Sequence, residues 1–105
     1  MADYRSIICQ RSTANTPAIL TPTTGDTVLV ANTARCAWSI QNLDTYILYV
    51  KFGAGATDTD FNIALIAGSG ADNGTGGVYS QEEGVIYTGI VSVAGTTPRC
   101  VVTEI

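Results

Sequence analysis

Apolar and polar positions along the chain alternate, and no stretch of about ten residues or more carries a helical stripe. The clearest run is RCAWSIQN, where Cys36, Trp38 and Ile40 alternate with Arg35, Ala37, Ser39 and Gln41. A period of two sends one set of side chains to a core and the other outward, which predicts a strand. YILYVKF follows from Tyr46 to Phe52, β-branched and aromatic as strands prefer. Leu48, Val50 and Phe52 share one of its faces; Ile47, Tyr49 and Lys51 share the other. Asn42–Leu43–Asp44–Thr45 reads as the turn between the two runs, so together they predict a β-hairpin.

Weaker signals surround this pair. Phe61, Ile63 and Leu65 alternate over a short strand, GVYS is a further short strand, and Gln81 to Gly84 turns the chain. VIYTGIVSV, residues 85–93, predicts a strand with Gly89 inside it, where a glycine marks a bulge or a close backbone approach. Ala94 to Pro98 is a tight connector and RCVVTEI a closing strand. Before residue 35, Pro17 and Pro22 interrupt a Thr-rich segment with Ala18 to Leu20 as an anchor, and Gly25–Asp26 turns the chain before Val28, Leu29 and Val30. Pattern and turn spacing agree on an all-β fold: a small β-sandwich or jelly-roll-like barrel of about six to eight short antiparallel strands. Residues 1–34 read as an N-terminal arm or edge strand plus a Pro/Thr-rich loop packed on the same domain, and residues 35–105 as the sandwich core. An immunoglobulin core is not expected, because Cys36 stands only two residues before Trp38.

Charge narrows the function. Five basic and nine acidic residues give a net charge of −4, and only 13% of the 105 residues are charged, roughly half the usual share. Arg5, Arg11, Arg35, Lys51 and Arg99 are scattered, whereas nucleic-acid binding needs clustered cations. No run approaches the ~18 apolar residues of a membrane span, and MADYRSIICQRS lacks the apolar region of a secretory signal. Nucleic acid and membrane are therefore not expected partners, nor is a small-molecule ligand. Cys9, Cys36 and Cys100 are expected reduced, with Cys36 and Cys100 as small buried hydrophobes and a Cys36–Cys100 disulfide as the alternative.

Chemistry finds little purchase. The chain has no histidine, the usual general base near neutral pH. A carboxylate-only hydrolase would draw on Asp58, Asp60, Glu82 and Glu83, all in predicted connectors. GSGADNGTGG, residues 68–77, is half glycine but lacks the G-K-[ST] ending of a phosphate loop and opens no helix. Asp72 and Asn73, or the pair Asp58 and Asp60, offer oxygen ligands for calcium without the spacing of an EF-hand. The plainer reading is an exposed, mobile turn, or a loop ordered only by a neighbouring subunit. No cofactor, metal or catalytic residue is assigned. A sugar-binding module would need several exposed aromatics on one platform, and the strand pattern sends Tyr46 and Tyr49 to opposite faces.

Three segments carry a resemblance: WSIQNLDTYILYVKFGAGAT (residues 38–57), FNIALIAGSG (61–70) and GIVSVAGTTPRCVVTEI (89–105). In this order they resemble small virion structural proteins of tailed bacteriophages. The resemblance implies a non-enzymatic protein of the virion, made in the host bacterial cytoplasm. It would decorate or cement a capsid through contacts with the major capsid protein or other virion subunits, as a homo-oligomer with a trimer favoured. A neck, tail or fibre-base adaptor is the alternative, and a small carbohydrate-binding or adhesion module a more distant one. Tyr4, Ile7 and Ile8 are the candidate docking residues, since an unpaired strand can add to a neighbour's sheet. Arg35 and Arg99, each just before a cysteine, could meet acidic shell residues.

Overall fold

The computed structural model describes residues 18–105 and is all-β there. Its eight strands are β1 (Ile19–Leu20), β2 (Thr27–Leu29), β3 (Trp38–Asn42), β4 (Leu48–Phe52), β5 (Ile63–Leu65), β6 (Val78–Gln81), β7 (Val91–Ala94) and β8 (Cys100–Glu104). They form two four-stranded sheets of order β1-β8-β3-β6 and β2-β7-β4-β5. The pairs β1:β8, β2:β7, β3:β6 and β4:β5 are all antiparallel. A long ribbon of β1–β4 against β5–β8 has thus been rolled up, and the seams β3:β8 and β4:β7 close each sheet. That connectivity is a jelly roll. β1 and β2, which precede residue 35, are strands of the two sheets.

The alternation read from the sequence is what packs the sheets together. Trp38, Ile40, Val102 and Cys100 from one sheet meet Leu29, Leu48, Val50, Leu65, Val91 and Val93 from the other. Trp38 meets Phe52 edge-on across the interior at 5.7 Å between ring centroids, and Phe52 stacks on Tyr87 at 5.1 Å. Burying each such side chain contributes about 1.5–3 kcal/mol before chain entropy is charged against it.

β3 and β4 do not form the predicted hairpin. They lie in different sheets and face each other across the core. The reason is Asn42, which is completely buried at the end of β3. Its side-chain amide donates to the carbonyls of Tyr46 (2.8 Å) and Ile66 (3.1 Å), and its Oδ1 accepts from the Asp44 amide at 2.9 Å. These bonds hold residues 43–47 as an arch that carries the chain from one sheet to the other. Both strands then turn their apolar sets toward one interior. In a hairpin, Trp38 and Phe52 would lie within one sheet instead of meeting across the core from opposite sheets.

The predicted strand over 85–93 also shortens, because β7 begins only at Val91. Gly89 explains the irregular stretch. The Tyr87 hydroxyl lies where a Cβ on Gly89 would sit, and it donates to the Ile90 carbonyl at 2.9 Å. Of the cysteines, Cys100 is as expected and Cys36 is not. Cys36 is half-buried and disulfide-bonded, while Cys100 is a free, fully buried thiol. Cys36 precedes the first residue of β3, so it sits at the rim of the sandwich and not in the core with Trp38 and Ile40.

Candidate functional site

Rolling the ribbon gathers four connectors at one end: β1–β2, β3–β4, β5–β6 and β7–β8, each passing between sheets. Hydrogen bonds brace them against one another. Thr24 donates its hydroxyl to the Gly95 carbonyl at 2.7 Å. Thr97 donates to Asp44 at 2.7 Å, and the Gly68 amide donates to the Asp44 carbonyl at 2.8 Å. The Asp72 amide donates to the Leu43 carbonyl at 3.0 Å.

The glycine-rich stretch is part of this bracing. Arg99 grips Asp72 with two parallel bonds of 2.6 Å, Nε to Oδ1 and Nη2 to Oδ2. The Arg99 hydrogen bond holds the Asp72 carboxyl below its ordinary value, and Asp72 in turn raises the guanidinium. Asp72 has a φ of 57°, a left-handed conformation that Asp tolerates because its short side chain bonds locally. Within the loop, the Thr75 hydroxyl accepts from the Ser69 amide at 2.7 Å, and Asn73 donates to Ser69 at 3.1 Å. A Cβ on Gly76 would collide with the Asn42 carbonyl. The loop is therefore ordered by its own subunit, through bonds that a reading of its composition as a mobile turn does not register.

Two grooves flank the ridge made by Thr24 and Thr96. One, of about 510 Å³, runs between Pro22, Asp44, Pro98 and Arg99. Its charged groups are engaged: Asp44 accepts from Thr97, and Arg99 is bound to Asp72. The other, of about 600 Å³, is lined by Thr45, Tyr46, Ile47, Tyr49, Asp58 and Thr96 among others. Its far wall is the β4–β5 connector, pinned over β7 by Ser92. The Ser92 hydroxyl donates to the Gly53 carbonyl at 2.6 Å and accepts from the Ala56 amide at 3.0 Å.

Of the residues singled out from the sequence, Tyr4, Ile7 and Ile8 lie outside the described residues. Arg35 does not face a partner. It is buried, 3% exposed, and its guanidinium is engaged entirely inside the fold. Arg99 is half-buried and bound to Asp72. Asp60 pairs with Lys51 at 2.6 Å. Glu82 and Glu83 are exposed after β6, far in sequence from Asp58. No cluster of three or more potential metal ligands occurs among the described residues. Sequence reasoning missed the Tyr46–Tyr49 groove, because Tyr46 precedes the first residue of β4 and the two-residue period does not apply to it.

Comparison with known proteins finds no matching family model, curated protein or solved structure.

Proposed function

We propose that this chain is a non-enzymatic structural protein of a tailed-phage virion that decorates or cements the capsid by docking on the major capsid protein. The observation that carries the reading is the side of the sandwich formed by β5 and β6. Each is the last strand of its sheet, so among the described residues each leaves a backbone edge unpaired. Neither IAL nor VYSQ contains a charged residue or a proline, the usual protection of an open edge. Ile66 and Val78 stand out beside these edges at 69% and 60% exposure, and the Gly77 amide joins the two strands' ends by donating to the Ile66 carbonyl at 2.9 Å. An unguarded, apolar pair of edges suits a partner that adds a strand and covers the side chains. The resemblance to phage virion proteins supplies the identity of that partner. The jelly-roll architecture, shared by viral capsid and lectin domains, is compatible with it and carries no weight alone.

The test is co-sedimentation with empty heads of the phage that encodes the chain, made in its bacterial host. The wild type is expected to pellet with heads, and Val78→Lys to stay in the supernatant with an unchanged melting curve. A wild type that never pellets with heads contradicts the reading. Light scattering of the free protein separates the placements: a trimer fits shell decoration, and a large closed ring would move the protein to the neck or tail.

A further inference from the structure

The groove beside Tyr46 combines aromatic rings with polar side chains that make no bond within the fold. Thr45, Tyr46, Tyr49, Asp58 and Thr96 all line it or its rim, and none makes a side-chain hydrogen bond or ion pair among the described residues. The other two described tyrosines are committed within the fold: Tyr87 donates to the Ile90 carbonyl, and Tyr79 accepts from Gln81 at 3.0 Å. In the neighbouring groove Asp44, Thr97 and Arg99 are likewise engaged. Donors and acceptors not bonded within the fold therefore line this groove together with two aromatic rings.

The geometry around them is rigid. Tyr49 is held from one side by Phe61, with ring centroids 4.7 Å apart at 48°. Tyr46 presents its ring at 51% exposure. The Thr24–Gly95 bonds fix one wall and the Ser92 bonds the other. A groove of about 600 Å³ falls in the range of small-ligand sites.

We infer that this groove binds a neutral pyranose of a glycan. A sugar ring offers an apolar C–H face, which suits stacking on Tyr46, and a fringe of hydroxyls, which suits Thr45, Thr96, the tyrosine hydroxyls and the Asp58 carboxylate. No cation lines the groove and one carboxylate does, so acidic sugars and phosphorylated ligands are disfavoured. The weak apolar floor of Ile47 and Ala94 is too small for a lipid or a helix face, whereas a single saccharide unit needs little more. This site is separate from the β5/β6 edge, and it stands whether or not the chain docks on a capsid.

The test is a ¹H–¹⁵N NMR titration of the full chain with maltotriose, lactose, N,N′-diacetylchitobiose and sialyllactose as probes. At least one neutral probe is expected to shift resonances confined to residues 45–49, 57–58 and 94–96, with millimolar affinity, and sialyllactose to shift none of them. Tyr46→Ala, an exposed change that spares the core, is expected to weaken binding by about tenfold or more, the loss of one stacked ring. Asp58→Asn is expected to weaken it by less while leaving the melting temperature unchanged. Absence of shifts with all the neutral probes at tens of millimolar overturns the inference. So does equal binding by Tyr46→Ala. If Tyr46→Ala abolishes self-association while every sugar is inert, the groove is an interface between copies of the chain and the glycan assignment fails.

Discussion

Replacing Arg35 with methionine removes the cation that ties the two sheets together. Nε donates to Glu104 Oε2 at 2.7 Å, Nη1 to the carbonyls of Tyr87 (2.9 Å) and Gly89 (3.1 Å), and Nη2 to the Val30 carbonyl at 2.7 Å. Val30 follows β2, residues 87–89 lead into β7, and Glu104 ends β8, so one side chain spans both sheets. Methionine replaces the apolar stem but ends short of the guanidinium, so three carbonyls and the Glu104 carboxylate lose the bonds that Arg35 donates. Breaking a buried pair by removing one partner costs about 3–5 kcal/mol. Each carbonyl left dry adds about 1–3 kcal/mol, but a vacated guanidinium site admits water, which limits this. The Glu104 side chain keeps 20% of its surface accessible and recovers part of its hydration. The expected cost is therefore about 4 kcal/mol, a large share of the roughly 5–15 kcal/mol that holds a domain together. Urea unfolding with an unchanged m-value measures it. Glu104→Gln, which retains an acceptor, is expected to cost about 1–2 kcal/mol, and the double variant to show coupling of at least about 1 kcal/mol. A loss below about 1 kcal/mol for Arg35→Met would refute the clamp.

Three further outcomes follow from the same structure. Burial pushes the Cys100 thiol up to about 11 from an ordinary 9.0, so the folded chain keeps a proton that the unfolded chain has released. Stability is then complete below about pH 9 and falls by about 3 kcal/mol as pH rises to about 11, a slope that Cys100→Ala removes. The same thiol is expected to resist a thiol reagent at pH 8 until the chain unfolds, whereas rapid native labelling would contradict its burial. Arg99→Gln frees Asp72, whose carboxyl is expected to return upward to the ordinary range in an NMR titration. Because Asp72 is held low in the folded state, its contribution is present above the unfolded value and fades as pH falls, and the variant shows less of this acid-side loss.

The strands were legible wherever one face is buried and the other is not. β3, β4 and β8 follow their alternation almost to the residue. What alternation does not encode is which strand lies beside which. A run of five residues between two amphipathic strands serves a hairpin or an arch equally well, and the choice rests on the buried Asn42 amide, a tertiary feature. Glycine content likewise suggested freedom at 68–77, whereas Asp72, Thr75 and Gly76 make a braced loop whose partners are distant in sequence. Arg35 reads from the sequence as a residue for an acidic partner surface, and only the folded positions of Val30, Tyr87, Gly89 and Glu104 reveal its four bonds. The Tyr46 groove was hidden for a similar reason: its walls come from five connectors that the sequence shows only as gaps between strands.

Hydrogen exchange on the chain, free and bound to empty phage heads, tests the docking claim most directly. Protection on binding is predicted at the amides of β5 and β6, Ile63–Leu65 and Val78–Gln81, with the buried β3 and β7 unchanged. Bound protein whose β5 and β6 amides exchange as fast as in the free chain would contradict it.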